Sequence, residues 1–237
     1  MDFAKAEHYI RHLLQTELSP LLTYHDYDHT LDVMNAAMEL ARKENINDPE
    51  ELLLLKTAAL FHDCGYVNVY EHHEEEGCRI ARQILPGCGY SEQQVQTICD
   101  MIMKTNLSTP PRTHLEEILC DADLDYLSGD QFVSRGQKLF SEWMAYGRLT
   151  NEKEWNDKQI RFLEAHRFYT RSAAEKGDRK KGEHLERLRT LVANGGAWRH
   201  SRHGGLQMLD PIGATGIQMS SLDERRTELL SCRSEPT

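Results

Sequence analysis

The stretch LLLLKTAALFHDCGY, residues 52–66, decides the fold. From Leu52 to Phe61 only Lys56 and Thr57 interrupt the apolar side chains, and no period-two alternation marks a strand. Asp48-Pro49-Glu50-Glu51 just before it is a helix start: Asp caps, Pro takes the first turn and Glu51 closes the box. The helix ends on His62-Asp63 and then Gly65. After so apolar a run both polar side chains are expected in the interior, where an imidazole beside a carboxylate needs a compensating partner. A divalent metal supplies one; an imidazolium at a helix C-terminus, with Asp63 capping the next turn, is the plainer reading.

Outward from this helix the apolar spacing stays helical. Ser91 with Gln94, Thr113 with Glu116 and Asn151 with Glu154 repeat the capping pattern, and helices are expected near 3–17, 29–45, 49–63, 73–85, 91–104, 113–120, 130–147, 151–175 and 182–193. No stretch alternates convincingly and no Asn-Gly turn joins β-branched runs, so the expected class is all-α. The one extended connection is NLSTPPR at 106–112. Composition changes near Asn194, where the following segment holds six of the fifteen glycines without a sustained period. The expected organisation is a helical domain over 1–193 and a flexible tail over 194–237, with a short helix at 222–231 opened by Ser221 and Glu224.

The 237 residues suit one medium domain with an appendage. A formal charge of -10, from 28 Lys and Arg against 38 Asp and Glu, argues against nucleic acid as a partner. A small phosphorylated molecule is compatible with it, because a bound divalent cation reverses the local field of an acidic protein. Six cysteines without a CxxC pair point to a reduced, cytoplasmic compartment. The first residues make no signal peptide, and no apolar run suits a membrane span. No residue pattern sets an oligomeric state.

Two further segments carry polar side chains on apolar surroundings. YHDYDHTLDV at 24–33 opens a helix, with His29 the inward candidate and His25 or Asp28 the alternatives. In EEILCDADLDYLSGD at 116–130, Asp123 lies four positions after Leu119 and four before Leu127, on the inward face, whereas Asp121 and Asp125 are expected to reach solvent or to cap. The alternative assignment makes Asp121 the ligand and Asp123 its support. Two imidazoles and two carboxylates form a mixed nitrogen and oxygen set that suits Mn, Fe, Ni, Co, Zn or Mg with places left for water and substrate.

His29, then His62-Asp63, then Asp123 resembles the ordered His, His-Asp, Asp signature of the HD superfamily of metal-dependent phosphohydrolases. The resemblance covers about residues 20 to 190. HDCGY, HHEEEGCRIARQILP, CDADLDYL and QIRFLEAHRFYT are similar to a subgroup of uncharacterised bacterial members. It implies an all-helical core, one divalent metal on His29, His62, Asp63 and Asp123, and a metal-activated water that attacks phosphorus. Cys64-Gly65-Tyr66 stand where guanosine tetraphosphate hydrolases carry Glu-Asp. His73 with Gly77 resembles the His-x-x-x-Gly of cyclic-dinucleotide enzymes, but Lys104-Thr105 replace the paired His, which favours a single metal.

Asp63, His73 and Lys104 are the catalytic candidates: Asp63 to orient the water, His73 or Lys104 to stabilise phosphoryl charge. Each also has a plain reading, His73 as part of an acidic helix start and Lys104 as a cation at a helix end. His166 and Arg167 belong either to a basic rim on an aromatic face or to the edge of the pocket. The expected function is hydrolysis of a phosphomonoester or phosphodiester bond in a small, nucleotide-like substrate. The alternatives are a non-catalytic HD module that binds a nucleotide or protein partner in signalling, and a metal-dependent oxygenase.

Overall fold

Asp26, Asp48, Ser91, Thr113, Asn151 and Thr170 each accept a hydrogen bond from a backbone N–H two or three residues on, and each starts a helix. In the computed structural model the described residues are 1–194, 197–200 and 206–209. They contain α1 (Phe3–Glu17), α2 (Tyr27–Lys43), α3 (Pro49–Phe61), α4 (His73–Ile84), α5 (Glu92–Thr105), α6 (His114–Asp123), α7 (Phe132–Ala145), α8 (Glu152–Ala165) and α9 (Arg171–Ala193). Short 3-10 turns occupy Cys64–Val67, Leu85–Cys88 and Asp125–Ser128. The reciprocal boxes at Ser91 and Thr113 form as read from the sequence. At Asn151 the cap forms, but the Glu154 carboxylate turns to the Thr150 N–H instead.

α3 is the axis of the fold. Leu54, Leu55, Thr57, Ala58, Ala59, Leu60 and Phe61 are all buried, because α1, α2, α5 and α6 surround the helix. Each fully buried Leu or Phe contributes about 1.5–3 kcal/mol of transfer free energy. Its neighbours bring amphipathic faces to it: Ile10 and Leu14 from α1, Val33, Ala37 and Leu40 from α2, Ile98 and Ile102 from α5, Ile118 and Leu119 from α6. A smaller cluster of Leu127, Phe132, Leu163, Leu188 and Leu191 joins the last 3-10 turn to α7, α8 and α9. The consequence for the site is positional: the N-terminus of α2 and the C-termini of α3 and α6 meet at one end of the core.

Two expectations need correction. The helix read at 151–175 is two helices, α8 and α9, and the one read at 182–193 is the second half of α9. The chain breaks at His166–Thr170 because the carboxylate of Asp121 accepts from the Tyr169 N–H (2.9 Å), the Thr170 N–H (2.7 Å) and the Thr170 hydroxyl (2.7 Å). Gly177 sits inside α9, against Phe168: a Cβ there would stand 2.5 Å from the ring. The same contacts overturn the solvent-facing role read for Asp121, which is only 1% exposed.

The all-α class holds for the domain, and a short hairpin follows it. β1 (Ala197–His200) and β2 (Leu206–Leu209) pair antiparallel, Ala197 opposite Leu209 and His200 opposite Leu206, beyond the all-α domain. Backbone pairing does not require β-branched side chains, and Gly204-Gly205 directly before β2 is the turn signal in this stretch of sequence. The helix expected at 222–231 lies outside the described residues. No helix among the described residues is long and apolar enough to cross a membrane.

Candidate metal centre

His29 sits in the first turn of α2, where Asp26 accepts its backbone N–H at 2.8 Å. His62 closes α3, and Asp63 follows in a bridge conformation, φ -107° and ψ 2°, a region in which active-site residues often sit. Asp123 is the last residue of α6. Because α2, α3 and α6 pack on one another, these four side chains converge. His29 Nε2 lies 3.2 Å from Asp123 Oδ1 and 3.4 Å from Asp63 Oδ2. His62 Nε2 lies 3.0 Å from Asp63 Oδ2 and 3.5 Å from Asp123 Oδ1. His29, His62 and Asp63 are buried, and the Asp123 side chain keeps 20% of its surface.

The hydrogen bonds say what this cluster lacks. His62 Nδ1–H donates to the Ala59 carbonyl at 2.7 Å, which leaves the lone pair of Nε2 pointing inward. His62 Nε2 and Asp63 Oδ2 are both buried, 3.0 Å apart, and neither has a hydrogen-bond partner among the described residues. Two buried acceptors facing each other call for a cation between or beside them. Without one, protons respond: burial disfavours the charged imidazolium of His62, yet Asp63 and Asp123 outweigh it and hold its pKa well above the usual range. His29 shifts upward likewise. Burial acts to raise both carboxylates, but His62 and His29 hold Asp63 and Asp123 well below their ordinary values. Donor atoms of His29, His62 and Asp123 lie within 4.8 Å of one another, a group that can hold a metal ion, and the mixed nitrogen and oxygen set fits a divalent one.

His73 opens α4 beside this cluster. Its Nδ1–H donates to the Tyr70 carbonyl at 3.3 Å and its Nε2 lies 3.5 Å from Asp63 Oδ1. Gly65 makes that approach feasible, since a Cβ on it would run into the His73 carbonyl oxygen. His72, its neighbour, is largely exposed. Lys104 stands apart: it is not among the cleft-lining residues, although Thr105 and Asn106 are, and its carbonyl accepts the Cys120 thiol. His166 and Arg167 also lie off the cleft, with Lys181 donating to the His166 carbonyl at 2.8 Å. Cys64 is buried and its thiol is pushed well up by burial, then by Asp63, which leaves it inert.

A cleft of about 560 Å³ opens onto the cluster. Asp63, Asp123, His25 and His73 line its inner end; Tyr70, Trp143, Arg148, Lys158 and Gln159 line the outer part. The sequence reading passed over Tyr66, Tyr70 and above all Glu142, a wholly buried carboxylate of α7. Glu142 accepts from the Tyr24 and His25 N–H groups at 3.0 and 3.1 Å, from Tyr70 Oη at 3.1 Å, and pairs with His25 Nδ1 at 2.5 Å. The only signal for it was His25 in the quoted 24–33 segment, and its partner lies 117 residues away.

Residues 26–125 match the family described as HD domain, and the match spans all four clustered side chains. Among solved structures, the chain is similar to a predicted HD superfamily hydrolase from an uncultured Thermotogales bacterium, at 22% identity and a TM-score of 0.55 over 81% of this chain and 92% of that one. It is similar to Bacillus subtilis YpgQ in complex with ADP, at 22% identity and a TM-score of 0.56 over 81% and 96%. A Lactobacillus plantarum protein shares 17% identity and a TM-score of 0.60 over 81% and 98%. At these identities the likenesses concern the fold alone. No curated protein matches the chain in sequence.

Proposed function

We propose that the protein is a metal-dependent phosphohydrolase that cleaves a phosphomonoester or phosphodiester bond in a small, nucleotide-like substrate. The observation that carries this reading is the buried, unpartnered pair of His62 Nε2 and Asp63 Oδ2 at the centre of a four-residue donor set. His29, His62, Asp63 and Asp123 would hold one divalent cation. A cation there lowers the pKa of water towards neutral and polarises a phosphoryl oxygen. The chain's own groups do the rest. Asp63 keeps its outer oxygen, Oδ1, turned to the cleft side near His73, where it orients the attacking water. His73 stabilises the charge that develops on the phosphoryl group, in preference to Lys104, because His73 lines the cleft and Lys104 does not.

Nucleotide-like chemistry is supported by the aromatic outer wall, Tyr70 and Trp143, and by the cationic Arg148 and Lys158 that lie over those rings. The ADP held by the similar B. subtilis YpgQ points the same way. The reading extends to a cytoplasmic setting, in keeping with the five described cysteines, all unpaired. Released phosphate and nucleoside, scored against phosphomonoesters, nucleotides and cyclic nucleotides with Mn, Ni, Fe, Co, Zn and Mg in turn, test it. Metal-dependent release by the wild type, absent without metal, is expected; a folded, metal-loaded wild type inert to the whole panel would overturn it.

A further inference from the structure

We propose that Glu142 is a positioning residue that aims the imidazole of His25 at the phosphoryl group of the substrate. The inference rests on the phosphohydrolase reading of the cleft. Glu142 belongs to α7, beyond the HD-domain match, yet its carboxylate is spent wholly on one turn of that domain's edge and on Tyr70. One oxygen takes two consecutive backbone amides, Tyr24 and His25, and so fixes the turn; the other takes His25 Nδ1 and Tyr70 Oη, and so fixes two side chains that line the cleft. Around it, Thr23 Oγ1 donates to the Lys138 carbonyl at 2.8 Å, Lys138 pairs with Asp26 at 3.1 Å, and Arg135 pairs with Asp32. α7 is therefore docked without needing a buried charge.

A carboxylate wholly removed from water is costly unless fully hydrogen-bonded, and here four donors meet it. What this arrangement achieves is an imidazole with one orientation. The His25 ring stacks on Tyr66, centroids 4.4 Å apart, and Tyr66 stacks on His73 at 3.8 Å. Its Nε2 has the Tyr66 hydroxyl at 3.5 Å, and the ring centre stands 5.8 Å from that of His29 and 6.4 Å from that of His73. His25 and His73 thus flank Tyr66 at the inner end of the cleft, one aimed by Glu142 and one by the Tyr70 carbonyl. The carboxylates lining the same space, Asp63, Asp123, Glu71 and Glu74, repel a phosphate. Because the Nδ1–H of each ring is committed to Glu142 or to the Tyr70 carbonyl, each Nε2 meets a phosphoryl oxygen as a donor in the imidazolium form, and two rings placed this way would contact separate oxygens of one tetrahedral group.

The test uses the full chain loaded with Mn and compares wild type with His25→Ala, His25→Gln, Glu142→Gln and the double variant His25→Ala/Glu142→Gln. Metal per chain, ADP affinity by calorimetry, and kcat and KM for hydrolysis are read. All variants that fold are expected to keep the wild-type metal content. His25→Ala is expected to lower kcat/KM by about 10²-fold and to weaken ADP, with Glu142→Gln moving both in the same direction. The double variant is expected to be no worse than His25→Ala, because the two residues act as one unit. His25→Gln keeps an amide to face Glu142, so it decides the matter where Glu142→Gln fails to fold: it is expected to retain the melting temperature and lose turnover. Wild-type ADP affinity and turnover in His25→Ala and His25→Gln, or multiplied losses in the double variant, would overturn the proposal. A wild type that binds ADP but releases phosphate or nucleoside from no member of the panel of phosphomonoesters, nucleotides and cyclic nucleotides overturns the phosphohydrolase reading instead, and ADP affinity across the variants then decides the role of His25.

Discussion

Asp63 serves two masters at the residue scale: Oδ2 faces the imidazoles of His29 and His62 while Oδ1 stands 3.5 Å from His73. Asp63→Ala is therefore expected to cost turnover by about 10³-fold or more while the fold survives, since its side chain belongs to the polar cluster after α3 and not to the apolar core. Phosphate release beside a far-ultraviolet dichroism melt checks both halves; full activity in that variant contradicts the mechanism. Gly65 is the second residue with a sharp prediction. A Cβ there meets the His73 carbonyl oxygen and stands 2.7 Å from the Gly77 backbone nitrogen, so Gly65→Ala must push the Cys64–Val67 turn away from α4. Its expected outcome is a loss of about 1–3 kcal/mol in urea unfolding together with lowered activity. The convergence of His29, His62, Asp63 and Asp123 was legible in the sequence because each polar side chain interrupts an apolar helical face. Glu142 was not, since the single acid of α7 reads as a solvated surface charge until Tyr24 and His25 are seen to donate to it.

Among the elements, α3, α5 and α6 announced themselves by their caps and α3 also by its apolar run, whereas the division of α8 from α9 did not. It depends on Asp121, 48 residues before Tyr169, and no local signal at His166–Thr170 reveals that three donors will be taken there. Asp121→Ala should leave those donors unmet and destabilise the chain by about 3 kcal/mol without changing metal content, as read by urea unfolding and elemental analysis. Burial raises the Asp121 pKa despite these bonds, so part of their benefit is offset by desolvation. His166, at the same break, has its pKa lowered to about 4 from 6.5 by burial and by Lys181. The unfolded chain then binds a proton that the folded one refuses, so this contribution is whole above pH 6.5 and is lost as pH falls towards 4. A melting series across that window should show a shallower decline for His166→Gln than for the wild type.

On the scale of the whole molecule, the HD core supplies the donor set and α7 and α8 supply the outer wall of the cleft, including Trp143, Lys158 and Gln159. The core was readable because apolar periodicity and ligand order lie within single segments. The wall was not, because Trp143 and Lys158 look like ordinary amphipathic helix residues until α7 is docked through Arg135 and Lys138. Since His62 Nε2 and Asp63 Oδ2 are unpartnered, filling the site should stabilise the fold as a whole. At a free metal concentration 100 times Kd, linkage predicts about 2.7 kcal/mol, lost on chelation and visible as a lower Tm. The central claim, a single divalent cation on this quartet, is tested most directly by elemental analysis of purified wild type beside His62→Ala. One metal per chain in the wild type and none in the variant is the expected result. A folded wild type that takes up no Mn, Ni, Fe, Co, Zn or Mg, or a His62→Ala variant that keeps its metal, would contradict it.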